Sequence, residues 1–507
     1  MQQQSYKWPI ILFTIGVFMA GLDNGIISAA LTTIYQSFEV SPTWGAWAIT
    51  LYTLGLAISV PIIGKLSDRY GRKKLFLIEI FLFGLGSLLV ALSPTFTMLL
   101  IARFIQAIGG GGIFIIGSTY VLTTVPKEHQ GKFLGLLGSM HGLSAVVGPN
   151  AGALILHLTG KWEWMFFINV PIAIFLFCMG LWKMDEQKRT SEGRLDVIGA
   201  AYLSLFILFI MLGLTNLDPQ AWVHSILSVA VLPYFVAAFI LGVAFLRHEY
   251  RVEARGEDPI IATSTLRHVP FIGTLFLGIL SGGFLATIVF IPSYVEQVLQ
   301  VPVESAAFWV TPVAIASGIG SGLGGFLTDK IGPKKTIMLS GIIGFTGFLL
   351  FYQFVDNMFM FVIASMFAGI GLGFLLGAPL NVLMSVTVAE EEYGSSLGTL
   401  SLMRQMGMTI FPMVFASFVT SSVKQLGTDI QSVTASTFSI PAGNDDALYG
   451  IIMEKIGHMQ AGQEKETLLQ FVANTMEIGF GYMFLTTMVL ATVVSIIGFI
   501  FLKFHKQ

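Results

Sequence analysis

Asp23 stands about 15 residues into an apolar run that opens near Trp8, roughly 22 Å along a helix axis and far from water. A carboxylate at that depth is costly unless it is neutral, hydrated or paired. Burial favours its neutral form and a neighbouring cation its charged form, so displacing either group can load or release a proton. Arg103 enters another run from the opposite side, about seven residues deep, at a broadly similar level. Arg404, in LSLMRQMG, is the other fully embedded cation, with no acid in its run. It bonds backbone carbonyls or lipid phosphate, or meets an anionic part of a substrate. His141 suits either a proton relay or a neutral hydrogen-bonding core position. Glu296, in SYVEQV near the outer end of its run, is either solvated or turned toward a cavity mouth.

The elements that position these residues are dictated by composition. A chain of 507 residues with 54% hydrophobic side chains, 55 glycines and a mean hydropathy of +0.79 belongs in a bilayer. A spanning helix needs about 20 mostly apolar residues, and fourteen runs of that kind can be read, the thirteenth from Ser395 to Val419 and the last from Ile478 to Leu502. The first run is too long for a signal peptide and carries Asp23, which marks it as a mature helix. Cys178 is the sole cysteine and the eight histidines are scattered, so no disulfide or metal site is expected. A net charge of -2 gives no reason to expect nucleic acid, and no GxxxxGK[ST] loop for ATP is present.

Lys and Arg collect in alternate loops: at Lys65 to Lys74, Lys127 and Lys132, Lys183 to Arg194, Arg247 to Arg267, and Lys330 to Lys335. The positive-inside rule makes those loops cytoplasmic and puts both termini there. The acidic Glu390 to Glu392 is a local exception. GKLSDRYGRKK, from Gly64, returns as GFLTDKIGPKK, from Gly325, pairing Gly64 with Gly325, Asp68 with Asp329, Arg69 with Lys330 and Gly71 with Gly332. A chain that repeats itself at half its length is the mark of a transporter built from parallel halves.

The Gly64 to Lys74 stretch resembles the loop between helices 2 and 3 of the major facilitator superfamily. Six runs, then two, then six resemble its fourteen-span drug/proton antiporter branch, the multidrug efflux type. GLDNGIISAALTTI from Gly21, LIARFIQAIGGGG from Leu100, SAVVGPNAGA from Ser144 and WEWMFFINVPI from Trp162 are similar to motifs of its helices 1, 4, 5 and 6. The resemblance implies an all-α membrane fold with a six-helix bundle over 1–195, an inserted two-helix pair and linker over 196–266, and a second bundle over 267–507 that holds a long outer loop, 420–477. In that loop Leu448, Ile451, Ile452, Ile456 and Met459 share one helical face, suiting a lid, a helix on the bilayer surface or a disordered segment.

The resemblance also makes helices 1 and 4 neighbours on a central cavity, with Asp23 and Arg103 as proton-coupling partners; a fixed structural ion pair is the competing reading. Gln106, His141, Glu296 and Arg404 are candidate substrate or coupling residues. Gly64, Asp68, Arg69, Gly71, Arg72, Asp329 and Gly332 form a conformational latch, weaker in its second copy because Phe326 and Pro333 replace positives. Gly148, Pro149 and Gly152 form a hinge, or simply pack closely. The function implied is a proton-coupled exporter (antiporter) of hydrophobic or amphipathic compounds, drugs among them, working by alternating access. It would act as a monomer in a bacterial plasma membrane, its partners being substrate, protons and lipid, with no cofactor and no enzymatic step. The alternative is an exporter or flippase of an amphipathic lipid or anionic metabolite, which Arg103, Arg404 and the scarcity of cavity acids would suit.

Overall fold

Inside hydrocarbon a chain segment must satisfy its own backbone, which a helix does without help from neighbours. The computed structural model describes residues 6–186, 196–218, 220–433, 448–459 and 462–503. Lys188, Arg189, Arg194 and the middle of the expected outer loop lie outside them. Among the described residues fourteen helices are long and apolar enough to cross a membrane. They are α1 (Lys7–Ser37), α2 (Trp47–Tyr70), α3 (Arg72–Ala91), α4 (Phe96–Gly111 and Ile113–Thr124), α5 (Lys127–Thr159), α6 (Trp164–Phe167 and Asn169–Lys183) and α7 (Val197–Thr215). There follow α8 (Leu232–Ala254), α9 (Val269–Val289 and Ile291–Gln297), α10 (Thr311–Ile331), α11 (Pro333–Gln353), α12 (Met358–Leu376 and Pro379–Ser385), α13 (Tyr393–Val433) and α14 (Gln463–Lys503).

Local chemistry sets several of these ends. Thr95 accepts from the Met98 N–H at 3.3 Å to cap α4, and Asn357 accepts from the Met360 N–H at 3.0 Å to cap α12, its counterpart. The sharp turns from α2 to α3 and from α10 to α11 pass through Gly71 (φ 93°) and Gly332 (φ 87°), a backbone region open to glycine.

The packing repeats with the sequence. In the first unit α1 packs on α5 and α6, α2 on α4, and α3 on α4 and α6. In the second α9 packs on α13 and α14, α10 on α12, and α11 on α12 and α14, the same pattern eight helices later. The units meet along two seams that are also equivalent, α2 with α13 and α5 with α10. The inserted pair, α7 and α8, packs on itself and lays α7 against α2 and α13. Leu203, Ile207 and Met211 of α7 join Leu54 and Ala57 of α2 and Leu402 of α13 in one apolar cluster. Glu249 and Glu253 accept backbone N–H bonds from Ile261 and Thr263, folding the linker back on α8, and Asp258 of that linker pairs with the buried Lys65 of α2.

The helices α13 and α14 run well past the expected ends of their apolar runs, so described portions of 420–477 are helical. The reason is packing. Leu448, Ile452 and Ile456 of the short helix Leu448–Gly457 are buried with Leu426 and Ile430 of α13 and Val472 of α14. The apolar face read from the sequence therefore seats on protein.

At the face where α1 begins and α14 ends, both seams close by backbone contact. A Cβ on Gly64 would come 2.2 Å from the Gly394 carbonyl oxygen, and one on Gly325 2.2 Å from that of Gly131. Beside each contact an aspartate bonds backbone N–H groups early in the opposing helix: Asp68 accepts from those of Gly394 and Ser395 at 3.0 and 2.9 Å, and Asp329 from those of Gly131 and Lys132 at 2.7 and 2.8 Å. A carboxylate at a helix N-terminus meets free donors and the positive end of the dipole. The second copy makes the same pair of bonds. What it lacks is the Arg72 guanidinium, 3.7 Å from Asp68, where the second copy has Pro333.

Overpacking costs about 1–3 kcal/mol, enough to shift a closed-to-open equilibrium by roughly 5- to 150-fold. Gly394→Ala and Gly131→Ala are therefore each expected to open this face. In a Cys178→Ser background, a cysteine placed at the buried Leu397 should react several times faster with a membrane-impermeant maleimide; unchanged rates in both variants would refute closure by these contacts.

Candidate functional site

The polar centre of the first unit is built on Asp23, midway along α1. Its Oδ2 accepts from Arg103 Nη1 at 2.5 Å; its Oδ1 accepts from Gln106 Nε2 at 2.8 Å and from Asn169 Nδ2 at 3.0 Å. Arg103 and Gln106 are one turn apart on α4, so both reach one point, and Arg103 Nη1 also donates to Gln106 Oε1 at 2.6 Å. Gln106 Nε2 further donates to Ser87 Oγ of α3 at 2.7 Å. Arg103 Nε donates weakly to the Ala48 carbonyl at 3.4 Å, and the guanidinium carbon sits 3.9 Å from the Tyr52 ring centroid of α2. A weakly hydrated planar cation stacks well on such a ring. Five helices thus converge on one carboxylate.

Asp23, Arg103, Gln106 and Asn169 are all fully buried. The pair expected from the sequence is formed, but it is enclosed among the helices of the first unit and does not open on the central cavity. The reason is visible in its partners: Asn169 and Ser87 belong to α6 and α3, which draw the carboxylate away from the seams. Among the described residues Arg103 Nη2, Asn169 Oδ1 and the Tyr52 hydroxyl have no hydrogen-bond partner. The network therefore holds spare donors and acceptors into which a rearranged Asp23 could bond.

Asn169, Ser87 and Tyr52 escaped the sequence reading. Asn169 was within sight, being the one amide in WEWMFFINVPI. Glu79 was also missed, an acid alone in the apolar run of α3. It is fully buried, and its Oε2 accepts from the Gly112 N–H at 2.8 Å, where α4 breaks between its two pieces. The carboxylate satisfies the donor that the break exposes.

The other expected residues lie elsewhere. Gly148 and Pro149 of α5 press on α1: a Cβ on Gly25 would meet Pro149 at 2.7 Å, and one on Gly148 would meet Gly25 at 2.7 Å. Helix α5 runs through Pro149 and Gly152 unbroken. Glu296 is half-buried near the end of α9, in electrostatic range of Tyr449. Arg69 stacks on Tyr70 beside the α2 latch, 5.6 Å from the ring centroid. Arg404 of α13 donates from Nε to Ser281 Oγ of α9 at 3.2 Å and lines a crevice between the units with Phe114, Ser118 and Asn381.

One further signal lay unread. Helices α5 and α13 repeat without a gap, Gly131, Gly135, Met140 and Pro149 recurring as Gly394, Gly398, Met403 and Pro412. It would have named both glycines opposite Gly64 and Gly325, and it makes His141 and Arg404 equivalent positions.

Residues 13–412 match the Major Facilitator Superfamily. An uncharacterized MFS-type transporter of Bacillus subtilis, YfiU, is 53% identical over 97% of this chain and 96% of its own. Multidrug resistance protein 3 of the same organism is 31% identical over 83% of this chain and 81% of its own. The proton:xylose symporter XylE shares the fold, with a TM-score of 0.59 at 14% identity over 98% of this chain and 95% of its own. By that match, and by a fold of two equivalent six-helix units, the chain belongs to the Major Facilitator Superfamily of membrane transporters.

Proposed function

We propose that this transporter is a proton-coupled exporter of hydrophobic or amphipathic compounds, drugs among them, working as a monomer by alternating access. Its terminal face is cytoplasmic and its membrane a bacterial plasma membrane, in keeping with the loop charges. The relative named Multidrug resistance protein 3 supports the substrate class. The observation that carries the coupling is the Asp23 hub, a buried carboxylate whose four partners on α4, α6 and α3 are bound directly or at one remove.

Protonating Asp23 removes the charge that holds Arg103 and weakens the acceptor shared by Gln106 and Asn169. The ties from α1 to α4 and α6 loosen together. Helix α1 is also locked to α5 through Gly25, Gly148 and Pro149, and α5 forms one seam with α10. A proton at Asp23 thus has a continuous packed route to the surface where the units separate. The two aspartate latches hold the cytoplasmic ends shut in the conformation described; their release turns the cavity inward. With one proton carried by Asp23, exchange for one monovalent cation would be electroneutral. The second reading, an exporter or flippase of an amphipathic lipid or anionic metabolite, draws support from Arg404, which has no carboxylate partner among the described residues.

In proteoliposomes with an internal pH dye, Asp23→Asn is expected to keep substrate binding, because an amide still accepts from Gln106 and Asn169, while abolishing substrate-induced proton release. Transport coupled as in the wild type would remove Asp23 from the mechanism. Stability gives an independent check, since stripping one partner from a buried ion pair costs about 3–5 kcal/mol. Arg103→Leu should therefore melt well below the wild type, and the Asp23→Asn/Arg103→Leu double variant above the single Arg103→Leu, because the stranded charge is gone.

A further inference from the structure

His141 and Arg404 occupy equivalent positions on α5 and α13, the helices that supply one wall to each seam. Both lie close to Phe114 of α4. The His141 and Phe114 rings are 6.3 Å apart, and Phe114 lines the crevice between the units together with Arg404. Arg404 is near enough to act electrostatically on His141. His141 is exposed midway along α5.

The charge balance of this spot is one-sided. Arg103 has its carboxylate; among the described residues Arg404 has one hydrogen bond, to a neutral hydroxyl, out of five N–H donors. No Asp or Glu lines the crevice. Ser118, on its α4 wall, is buried with a hydroxyl that has no partner. An embedded cation without a counter-ion is costly, and it persists where a ligand is to provide the missing charge. A carboxylate or phosphate matches the guanidinium fork, the Ser118 hydroxyl lines the same crevice, and the His141 imidazole lies beside Phe114.

We infer that the substrate carries an anionic group that binds between Arg404 and His141, one donor from each unit, with its apolar portion against Phe114. This rests on the exporter reading above and fixes the substrate class within it: single-headed anionic amphipaths, in preference to lipophilic cations. Because the two donors belong to different units, a bound anion ties the units together at their centre.

The test is equilibrium binding by fluorescence to the full chain in nanodiscs, with 11-(dansylamino)undecanoic acid, its methyl ester and the corresponding dansylated alkylamine. The acid should bind at least about tenfold tighter than the ester or the amine, the scale of one charge-assisted hydrogen bond. Arg404→Gln should erase most of that preference and leave ester binding in place, Arg404→Lys should keep part of it, and His141→Gln should lose less than Arg404→Gln. Displacement by lysophosphatidate but not by undecanoate would mean that the anion arrives on a lipid, and the reverse that it arrives as a free carboxylate; both support the site. Equal binding of acid and ester by the wild type, tighter binding of the amine, or an acid preference unchanged in Arg404→Gln would overturn it. If Arg404→Gln fails to fold, shown by lost ester binding, the wild-type ratio and Arg404→Lys decide. Binding needs no gradient, so intact anion preference without substrate-driven proton release would fail the coupling reading and leave this site standing.

Discussion

A charge in hydrocarbon has to find its counterpart inside the protein, and this requirement organises the transporter from the centre outward. Asp23 holds Arg103, two amides and, through them, five helices. Glu79 holds the one backbone donor that the break in α4 sets free. Asp68 and Asp329 bond backbone N–H groups early in α13 and α5. In each case the acid joins helices that apolar packing alone would leave free to slide, because lipid tails are as apolar as leucine and give helices little reason to prefer each other. The electrostatic ties choose the partners, and small residues then let the backbones close.

The two units answer that requirement differently. Their packing plans coincide helix for helix, down to the turn glycines, the helix caps and the paired seams. Their polar interiors do not: the carboxylate hub described here belongs to the first unit, while the matched position on the seam helices carries a histidine in the first and an arginine in the second. A duplicated scaffold thus supplies two matched units, and divergence of a few embedded side chains gives each its own polar interior.

Much of this was legible in the chain. Fourteen apolar runs are a local property of composition, and the depth of Asp23 and Arg103 follows from counting residues along a helix. The aspartate and glycines of the repeated loop announced a close contact, although not the surface they touch. That partner was written in the GxxxG spacing of Gly131 and Gly135, repeated at Gly394 and Gly398, and it emerges when α5 and α13 are set side by side. Less accessible was the direction in which Asp23 points, because a helix apolar all round carries no stripe to say which face meets protein. Asn169 and Ser87 were hidden for a related reason: a single small polar residue in an apolar run looks the same whether it packs or bonds. The reach of α13 to Val433 depended on contacts with α14 and the short helix Leu448–Gly457, which are tertiary facts.

The inserted pair breaks the equivalence of the two seams. Helix α7 lies along the junction of α2 and α13, filling it with Leu203, Ile207 and Met211, and the Lys65–Asp258 pair fastens the linker that follows α8 to α2. The junction of α5 and α10 has no such cover among the described residues, and Leu143, Ile315 and Ile319 stand exposed along those two helices. A core with twofold likeness therefore has a one-sided flank: the α2–α13 junction is covered by α7, and among the described residues the α5–α10 junction meets the surroundings directly.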